Sequence, residues 1–530
     1  MRLSSKFRKE EGGEISLEFL SNVETQVIIP ENAQDWISLV PATKAMEYNA
    51  VTLQIEPNPG YYRSAEVSIS SLGTSLSLTY TLEQNGEMGV DIDPEAVPED
   101  EIWYVTMNKN KIDFIGSEFD ANIVSHTYTG GKWVVKFDAP VTTINSPSFD
   151  NINDVIIGLY LPNSVKVINS INGLFELEEL HVPKSLEVLN VRGAQVKWNG
   201  SKIKRFTGYN ISEDGYCIIL DNTLMMFALC DIEEYTIPEG ITIVGEASFS
   251  KNQSLKKVII PEGITSVQWD AFSNTLIEEV YLPESLQEVG PYAFAINKEL
   301  KKIHGPSRYV SNDGMCMYVE DYFGMRWLVA FASGAGLQSY TIPDGIMGLE
   351  NYSFYYAEEL TELTIPGSVT NIASAAGVFE GTHNIERLYG PNVLEDGRSY
   401  VVDNRLLYVA DKGITEYMTP EGVEVLGYQV FADKQYLEKI VISDEVVASE
   451  VYGYIFCNSP KLQTITISAR MRDLGMDPFG ADDSMSPGVG KCPNLKTVYL
   501  RAPVPPAIQH NSPEIIPTLY DNLTIYVPEE

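Results

Sequence analysis

Pro238, Pro261, Pro283 and Pro306 fall 23, 22 and 23 residues apart, and the first three open near-copies of one phrase. The copies read IPEGITIVGEASF, IPEGITSVQWDAF and LPESLQEVGPYAF, and the phrase returns as IPDGIMGLENYSF from Ile342 and TPEGVEVLGYQVF from Thr419. A fixed period of this size specifies a solenoid, because one such unit cannot bury its apolar face without the next. Solenoids present long surfaces to partners and contact mainly their own neighbours along the array.

Within LKKVIIPEGITSVQWDAF, Leu255, Val258 and Ile260 are expected to point inward along a short strand. Pro261 stops that strand, since it has no N–H for a ladder, and Gly263 permits the turn. Ile264 and Val267 return to the core, and Phe272 fills it from the far side. The proline-to-phenylalanine distance is 11 residues at Pro238/Phe249, Pro261/Phe272, Pro283/Phe294, Pro343/Phe354 and Pro420/Phe431. It is 13 at Pro366/Phe379, where SAAG inserts two residues. Strands are expected to centre on 258–260, 280–282, 363–365 and 440–442, as consecutive neighbours in a parallel sheet.

Three segments interrupt the period: residues 209–235, 309–340 and 394–417. Each holds an Asp-Gly or Asn turn signal between apolar runs, which predicts an inserted β-hairpin. Residues 12–86 differ again. EISLEFL, TQVIIP, AVTLQIEP, AEVSIS and SLSLTYTLEQ are strand-length runs between turn clusters, the pattern of a small antiparallel sandwich. GEMGVDIDPEAVPEDE is acidic, holds two prolines and has no periodicity, so it reads as a linker. The expected order is a sandwich over 1–86, an acidic linker over 87–101, a solenoid cap over 102–136, and a solenoid with its own closing cap over 137–530.

The formal charge is −36, from 73 acidic and 37 basic residues in a chain of 530. Nucleic acid is excluded as an expected partner, since phosphate binding needs a basic face. No stretch reaches the roughly 18 apolar residues of a membrane span. MRLSSKFRKEE carries positive charge with no apolar run behind it, so no signal peptide is expected as the sequence stands. Cys217, Cys230, Cys316, Cys457 and Cys492 are scattered and give neither a disulfide framework nor a zinc site; they are expected as small buried apolar residues.

No HExxH, GxSxG or GxGxxG motif is present, and the five histidines show no metal-ligand spacing. Glu278-Glu279 reads as a solvated pair rather than glycosidase carboxylates, and with Lys256-Lys257 and Lys301-Lys302 it alternates in sign along the sheet. The expectation is a non-enzymatic protein without cofactor or metal. Trp36 is expected inside the sandwich, whereas Tyr61 and Tyr62, on a turn, are candidates for ligand contact.

By strand alternation, the residue two before each repeat proline points out of the sheet. These residues are Tyr160, His181, Thr236, Ile259, Tyr281, His304, Thr341, Thr364, Tyr389 and Met418, with Val441, Thr466 and Tyr499 at positions lacking the proline. Tyr, His and Thr offer flat faces with polar tips, suited to glycans and proteins. Tyr281, His304, Tyr389, Tyr160 and His181 are the ladder residues chosen as candidate ligand contacts.

The repeat LxxhxIPxxhxxhxxxAF with its DGxxYxxD hairpins resembles the BspA-like (Treponema-type) leucine-rich repeat of bacterial surface proteins. EIWYVTMNKNKI…ANIVSHTYTGGKWVVKFDAPVTTI resembles the entry unit of that family's gut-bacterial members. The resemblance covers about 102–530 and departs at 184–237 and 443–495, where Ser443 and Ser468 replace prolines. The amino-terminal GGE start, DWIS motif, RSAEVSI strand and EQNG end resemble a BACON domain (Bacteroidetes-associated, carbohydrate-binding, often N-terminal). Together the resemblances imply an immunoglobulin-like sandwich joined to a leucine-rich solenoid, on the cell surface or secreted, at the outer-membrane exterior or in the periplasm. They imply adhesion to an extracellular protein or glycan through the solenoid, or alternatively glycan capture through the sandwich.

Overall fold

In a computed structural model, the described residues are 2–6, 13–19, 25–30, 33–39, 49–57, 63–71, 77–84, 92–106, 111–114, 118–145, 156–169, 177, 179–190, 203, 205–450, 454–476, 492–504, 506–509 and 523–528. Two compact units divide the chain, Met1–Val188 and Leu189–Glu530.

The first unit begins with two sheets. Arg63–Ser71 pairs antiparallel with Ser77–Gln84 and with Thr25–Ile28, and Arg2–Lys6 adds in parallel beside Ser77–Gln84. Gly13–Phe19 and Ile37–Leu39 flank Asn49–Ile55 in the second sheet. Inward residues of both meet in one cluster containing Leu17, Leu53, Val67, Ile69 and Leu82. Trp36 sits in that cluster, as expected of a large ring at a strand entry. Tyr61 and Tyr62 lie outside the described residues.

Glu101–Thr106 and Ile123–Thr129 flank Lys132–Phe137 antiparallel, with the tight turn at Gly130-Gly131. Both glycines have positive φ, 56° and 82°, which a side chain would resist. Ile156–Tyr160 then pairs antiparallel with Glu101–Thr106 on one side and parallel with Glu179–Val182 on the other. The switch from antiparallel to parallel is where coiling starts. Residues 92–100, expected from the sequence to belong to a linker, are anchored at Val97. Pro94–Ala96 forms a 3-10 turn capped by Asp93, and Val97 is buried with Val105, Ile157 and Tyr160.

In the second unit the regular turns of the coil, such as those from Glu234 to Val289, each contribute one three-residue strand and one two-residue strand. Glu234–Thr236, Lys257–Ile259, Glu279–Tyr281 and Lys302–His304 pair in parallel, in order. Ile243–Val244, Ser266–Val267 and Glu288–Val289 form the second parallel ladder. The longer strands sit one residue earlier than the expected centres, at 257–259, 279–281, 362–364 and 439–441. Ile260 N still donates to Tyr281 O at 3.0 Å, but Pro261 has no N–H to carry the ladder on. Where proline is absent the register holds: Val441 pairs with Thr466 and Thr466 with Tyr499. There Ser468 is buried and its Oγ donates to Val446 O at 2.7 Å.

Phe249, Phe272, Phe294, Phe354 and Phe431 are all buried. They form stacks rather than isolated plugs. Phe227–Phe249, Phe249–Phe272 and Phe272–Phe294 have centroids 4.5, 4.7 and 5.1 Å apart with planes within 26°.

The three interruptions are hairpins: Cys217–Leu220 with Thr223–Phe227, Cys316–Glu320 with Arg326–Phe331, and Ser399–Val402 with Arg405–Val409. The second strand of each joins the two-residue ladder, so the hairpin is built into the coil. Each is followed by a strand with a central buried tyrosine: Tyr235, Tyr340 and Tyr417. Tyr235 OH donates to Asp214 Oδ2 at 3.0 Å and lies 3.1 Å from Cys217 Sγ. In the third hairpin Ser399 takes the place of the cysteine and bonds Tyr417 OH at 2.7 Å. Burial pushes the Cys217 thiol up to about 12, so it stays protonated. All five cysteines are buried thiols outside any disulfide.

Candidate ligand-binding face

The outward ladder divides into covered and open stretches. In the first unit Tyr160 and His181 pair across neighbouring parallel strands, as alternation requires. Both are buried, 8% and 7% exposed, which corrects their selection as accessible contacts. The 3-10 turn supplies the cover: His181 Nε2 lies 3.1 Å from Glu95 Oε1, and Asn163 Nδ2 donates to Glu95 Oε2 at 2.8 Å. Alternation fixes which way a side chain points; it says nothing about a distant segment folding over it.

In the second unit the ladder is open. Tyr281 and His304 stand side by side in register, their rings 4.3 Å apart and 8° from coplanar alignment. Lys257 Nζ approaches the other side of Tyr281 at 5.6 Å. Glu279, two residues before Tyr281 on the same outward face, flanks the pair: its Oε2 accepts from Tyr281 OH at 3.4 Å and lies 3.3 Å from His304 Nε2. The platform is therefore offset-stacked and tethered, a low-entropy surface for a partner.

Tyr389 is 41% exposed and its OH donates to Glu362 Oε1 at 3.3 Å. It stands on a separate three-stranded sheet from Tyr281, at the wall of a cleft of about 320 Å³ with Thr341, Thr364, Glu362, Tyr340 and Asp313. The third sheet ends in another stack that sequence reading left incomplete. Tyr499 and Tyr526 pair in register with centroids 4.8 Å apart, 41% and 51% exposed. Tyr526 lies two residues before Pro528, so the alternation rule applied to the closing segment would have identified it.

Surface charge lines up as sign alternation predicts. Lys257 faces Glu279 and Glu279 faces Lys302, while Lys301 Nζ reaches Glu278 Oε2 at 2.6 Å and Lys439 Nζ reaches Glu416 Oε2 at 3.0 Å. Such exposed pairs contribute about 0–1 kcal/mol each and set register more than stability.

Two glycines end the sheets that carry these rings. Gly305 follows His304 and Gly390 follows Tyr389, with φ of +110° and +135°. A Cβ at either would lie 2.0 Å from the carbonyl oxygen of the preceding turn, Leu282 or Ile365. The chain at these points passes too close to the coil for any side chain, and from there it departs into a hairpin.

Among the described residues no group of histidine, cysteine and carboxylate side chains is placed to hold a metal ion, and no helix is long and apolar enough to cross a membrane. No curated protein matches the chain. Similar solved structures include a leucine rich cell surface protein from Faecalibacterium prausnitzii A2-165, 19% identical over 65% of this chain and 86% of that one, with a TM-score of 0.40. The pneumococcal vaccine antigen PcpA is 18% identical over 77% and 88%, with a TM-score of 0.36. A leucine-rich repeat protein from Bacteroides ovatus ATCC 8483 is 15% identical over 78% and 79%, with a TM-score of 0.24. Residues 224–318, 329–408 and 409–486 match the family model described as BspA type Leucine rich repeat region, in six copies. The stretch that carries Tyr281, His304 and Tyr389 is thus similar to BspA-type leucine-rich repeats.

Proposed function

We propose that the chain is a non-enzymatic cell-surface or secreted binding protein that captures an extracellular macromolecule on the outward face of its repeat sheets. One observation carries the reading: the Tyr281–His304 stack, half-buried on the outward face of a parallel sheet and flanked on that face by Glu279. A rigid aromatic pair gives contact area at little entropic cost, the usual property of a hot spot. Tyr389 and the Tyr499–Tyr526 pair repeat the device on the two later sheets. A protein partner is favoured by the width of surface that spaced platforms offer.

The amino-terminal pair of sheets would be the BACON-type, immunoglobulin-like sandwich, acting as a spacer. Trp36, the aromatic best suited to a glycan there, is used up in its core.

The test compares the parent chain with the Tyr281→Ser/Tyr389→Ser double variant on an immobilised panel of extracellular-matrix proteins. The reading expects at least one parent interaction, weakened at least tenfold in the variant, with the melting temperature kept. Binding unchanged while the melting temperature falls would leave the rings a purely structural role and overturn it.

A further inference from the structure

The two-residue insertion at Pro366/Phe379 opens a cleft on a different flank of the array. Elsewhere successive turns are sewn together by backbone bonds at alternate residues, such as Ala247 N to Trp269 O, Phe249 N to Ala271 O and Lys251 N to Ser273 O at 2.9, 2.8 and 3.0 Å. Tyr352, Phe354 and Tyr356 bond the inserted turn in the same way, to Gly377, Val378 and Glu380. SAAG itself winds into one helical turn, Ala375–Val378, capped by Ser374 Oγ accepting from Gly377 N at 3.1 Å. Toward the next turn the pattern changes. Ala375 N donates to Tyr428 O at 3.1 Å, Ser374 Oγ bonds Gln429 Oε1, and a cleft of about 610 Å³ opens.

Its walls have a definite chemistry. Tyr356, 38% exposed, lies over Gly381, where a Cβ would come within 2.3 Å of the ring. Tyr352 and Glu380 stand beside it, with His383 and Asp433 deeper. The Asp433 side chain is only 12% exposed; its Oδ1 accepts from Gln435 Nε2 and Asn458 Nδ2 at 2.9 and 2.7 Å, and its Oδ2 lies 3.8 Å from His383 Nδ1. Asn351 Oδ1, also in the wall, is buried and accepts no hydrogen bond. Among the described residues no lysine or arginine lines the cleft.

Such a wall repels anions and is rich in acceptors, so its ligand must bring hydroxyl donors. An aromatic string leads away from it. Trp269–Tyr292, Tyr292–Tyr352, Tyr352–Tyr355 and Tyr355–Tyr356 have centroids 6.0, 5.9, 6.1 and 4.6 Å apart. Successive rings are turned 51–73° from one another, and such a string beside a carboxylate-and-amide pocket offers ring faces and edges in turn to the apolar faces and hydroxyl edges of linked sugar rings.

We propose that this cleft binds a neutral oligosaccharide, one sugar seated among Tyr356, Glu380, Asp433 and Asn351 and the following sugars laid along Tyr352, Tyr292 and Trp269. The site is independent of the outward ladder.

The test is a glycan array of neutral, sialylated and sulfated oligosaccharides, with an oligolysine peptide included, probed with the full chain. Neutral oligosaccharides should be retained. Tyr356→Ala and Glu380→Ala should each weaken them at least tenfold, at an unchanged melting temperature. Trp269→Ala should weaken only the longer ones, and Tyr281→Ser/Tyr389→Ser should weaken none. Retention of only anionic glycans, of only oligolysine, or of nothing overturns the proposal, as does neutral-glycan binding that Tyr356→Ala leaves intact.

Discussion

Replacing Phe272 by alanine tests whether the array holds itself together turn by turn. Phe272 is 0% exposed and lies between Phe249 and Phe294, 4.7 and 5.1 Å away at 23° and 16°. Truncating a fully buried phenylalanine costs about 3–5 kcal/mol. Two stacked neighbours, each worth about 0.5–1.5 kcal/mol beyond area, put this one at the upper end. The lost energy belongs to one cluster, which runs from Cys217 to Ala330 and includes Leu255, Val258 and Phe294. A separate cluster around Phe431, Phe456 and Leu462 shares no residue with it. In a quasi-one-dimensional fold, opening should therefore be local. Hydrogen exchange is the assay. A loss of about 4 kcal/mol raises the local opening constant about a thousandfold. The amides of Phe249 and Phe272, bonded to Ala271 O and Ala293 O at 2.8 Å, should exchange faster by that order. Those of Ile440 and Ile465 should keep the parent rate. Equal acceleration in both clusters would mean one global cooperative unit and would refute the turn-by-turn account; no acceleration in either would mean the stack contributes nothing.

Other outcomes follow from particular contacts. Tyr104 OH accepts from Ile112 N at 3.0 Å and lies 2.7 Å from His126 Nε2. Burial, with Lys111 nearby, depresses the His126 pKa from 6.5 to about 4. Its contribution to stability is therefore complete above pH 6.5 and is lost as the pH falls through 4. Thermal melts should show this acid loss in the parent and a smaller one in His126→Phe. Cys316→Ser should shift stability by less than about 1 kcal/mol in urea melts, because Ser399 already fills the equivalent place beside a buried tyrosine. Gly390→Ala forces a Cβ to within 2.0 Å of Ile365 O at φ +135° and should cost at least about 1–3 kcal/mol in the same melts, more than Gly413→Ala, which at φ +81° carries backbone strain but meets nothing within 4 Å.

What the sequence made legible was periodic, and what escaped it was not. The proline period and the recurring proline-to-phenylalanine distance located the ladder, the Phe stack and the inward triplet Leu255, Val258 and Ile260, all buried. These follow from local geometry repeated many times. The acidic stretch before Glu101 has no period to read, because a three-residue 3-10 turn at Pro94–Ala96 is too short to leave one. Its packing over Tyr160 and His181 joins residues far apart in the chain, and composition alone suggested a linker. SAAG was visible as two extra residues. That they would wind into a helical turn and separate neighbouring coils depended on what lay across the gap, Tyr428 and Gln429.

The open rings occupy a consistent place. Tyr281 and His304 stand on the last two strands of a four-stranded sheet, Tyr389 on the last strand of a three-stranded one, and Tyr499 and Tyr526 on the last two of a five-stranded one. Thr236, Thr341 and Met418 occupy the same outward position on the first strands. Ile259, Thr364, Val441 and Thr466, on middle strands, are each flanked by two others and are β-branched, whereas Tyr281 and Tyr499 are middle-strand rings that stack on the ring of the last strand. At the ends of the first two sheets the hairpin turn takes over the outer edge, Ile303 N donating to Gly314 O at 2.9 Å and Leu388 N to Gly397 O at 2.7 Å, and His304 and Tyr389 are the last outward side chains before it. Gly305 and Gly390 make those ends possible by letting the backbone leave the coil immediately after the ring. The hairpins that interrupt the repeat thus do more than lengthen it: two of them end the sheets that carry the Tyr281–His304 pair and Tyr389, and so set where along the array these rings fall.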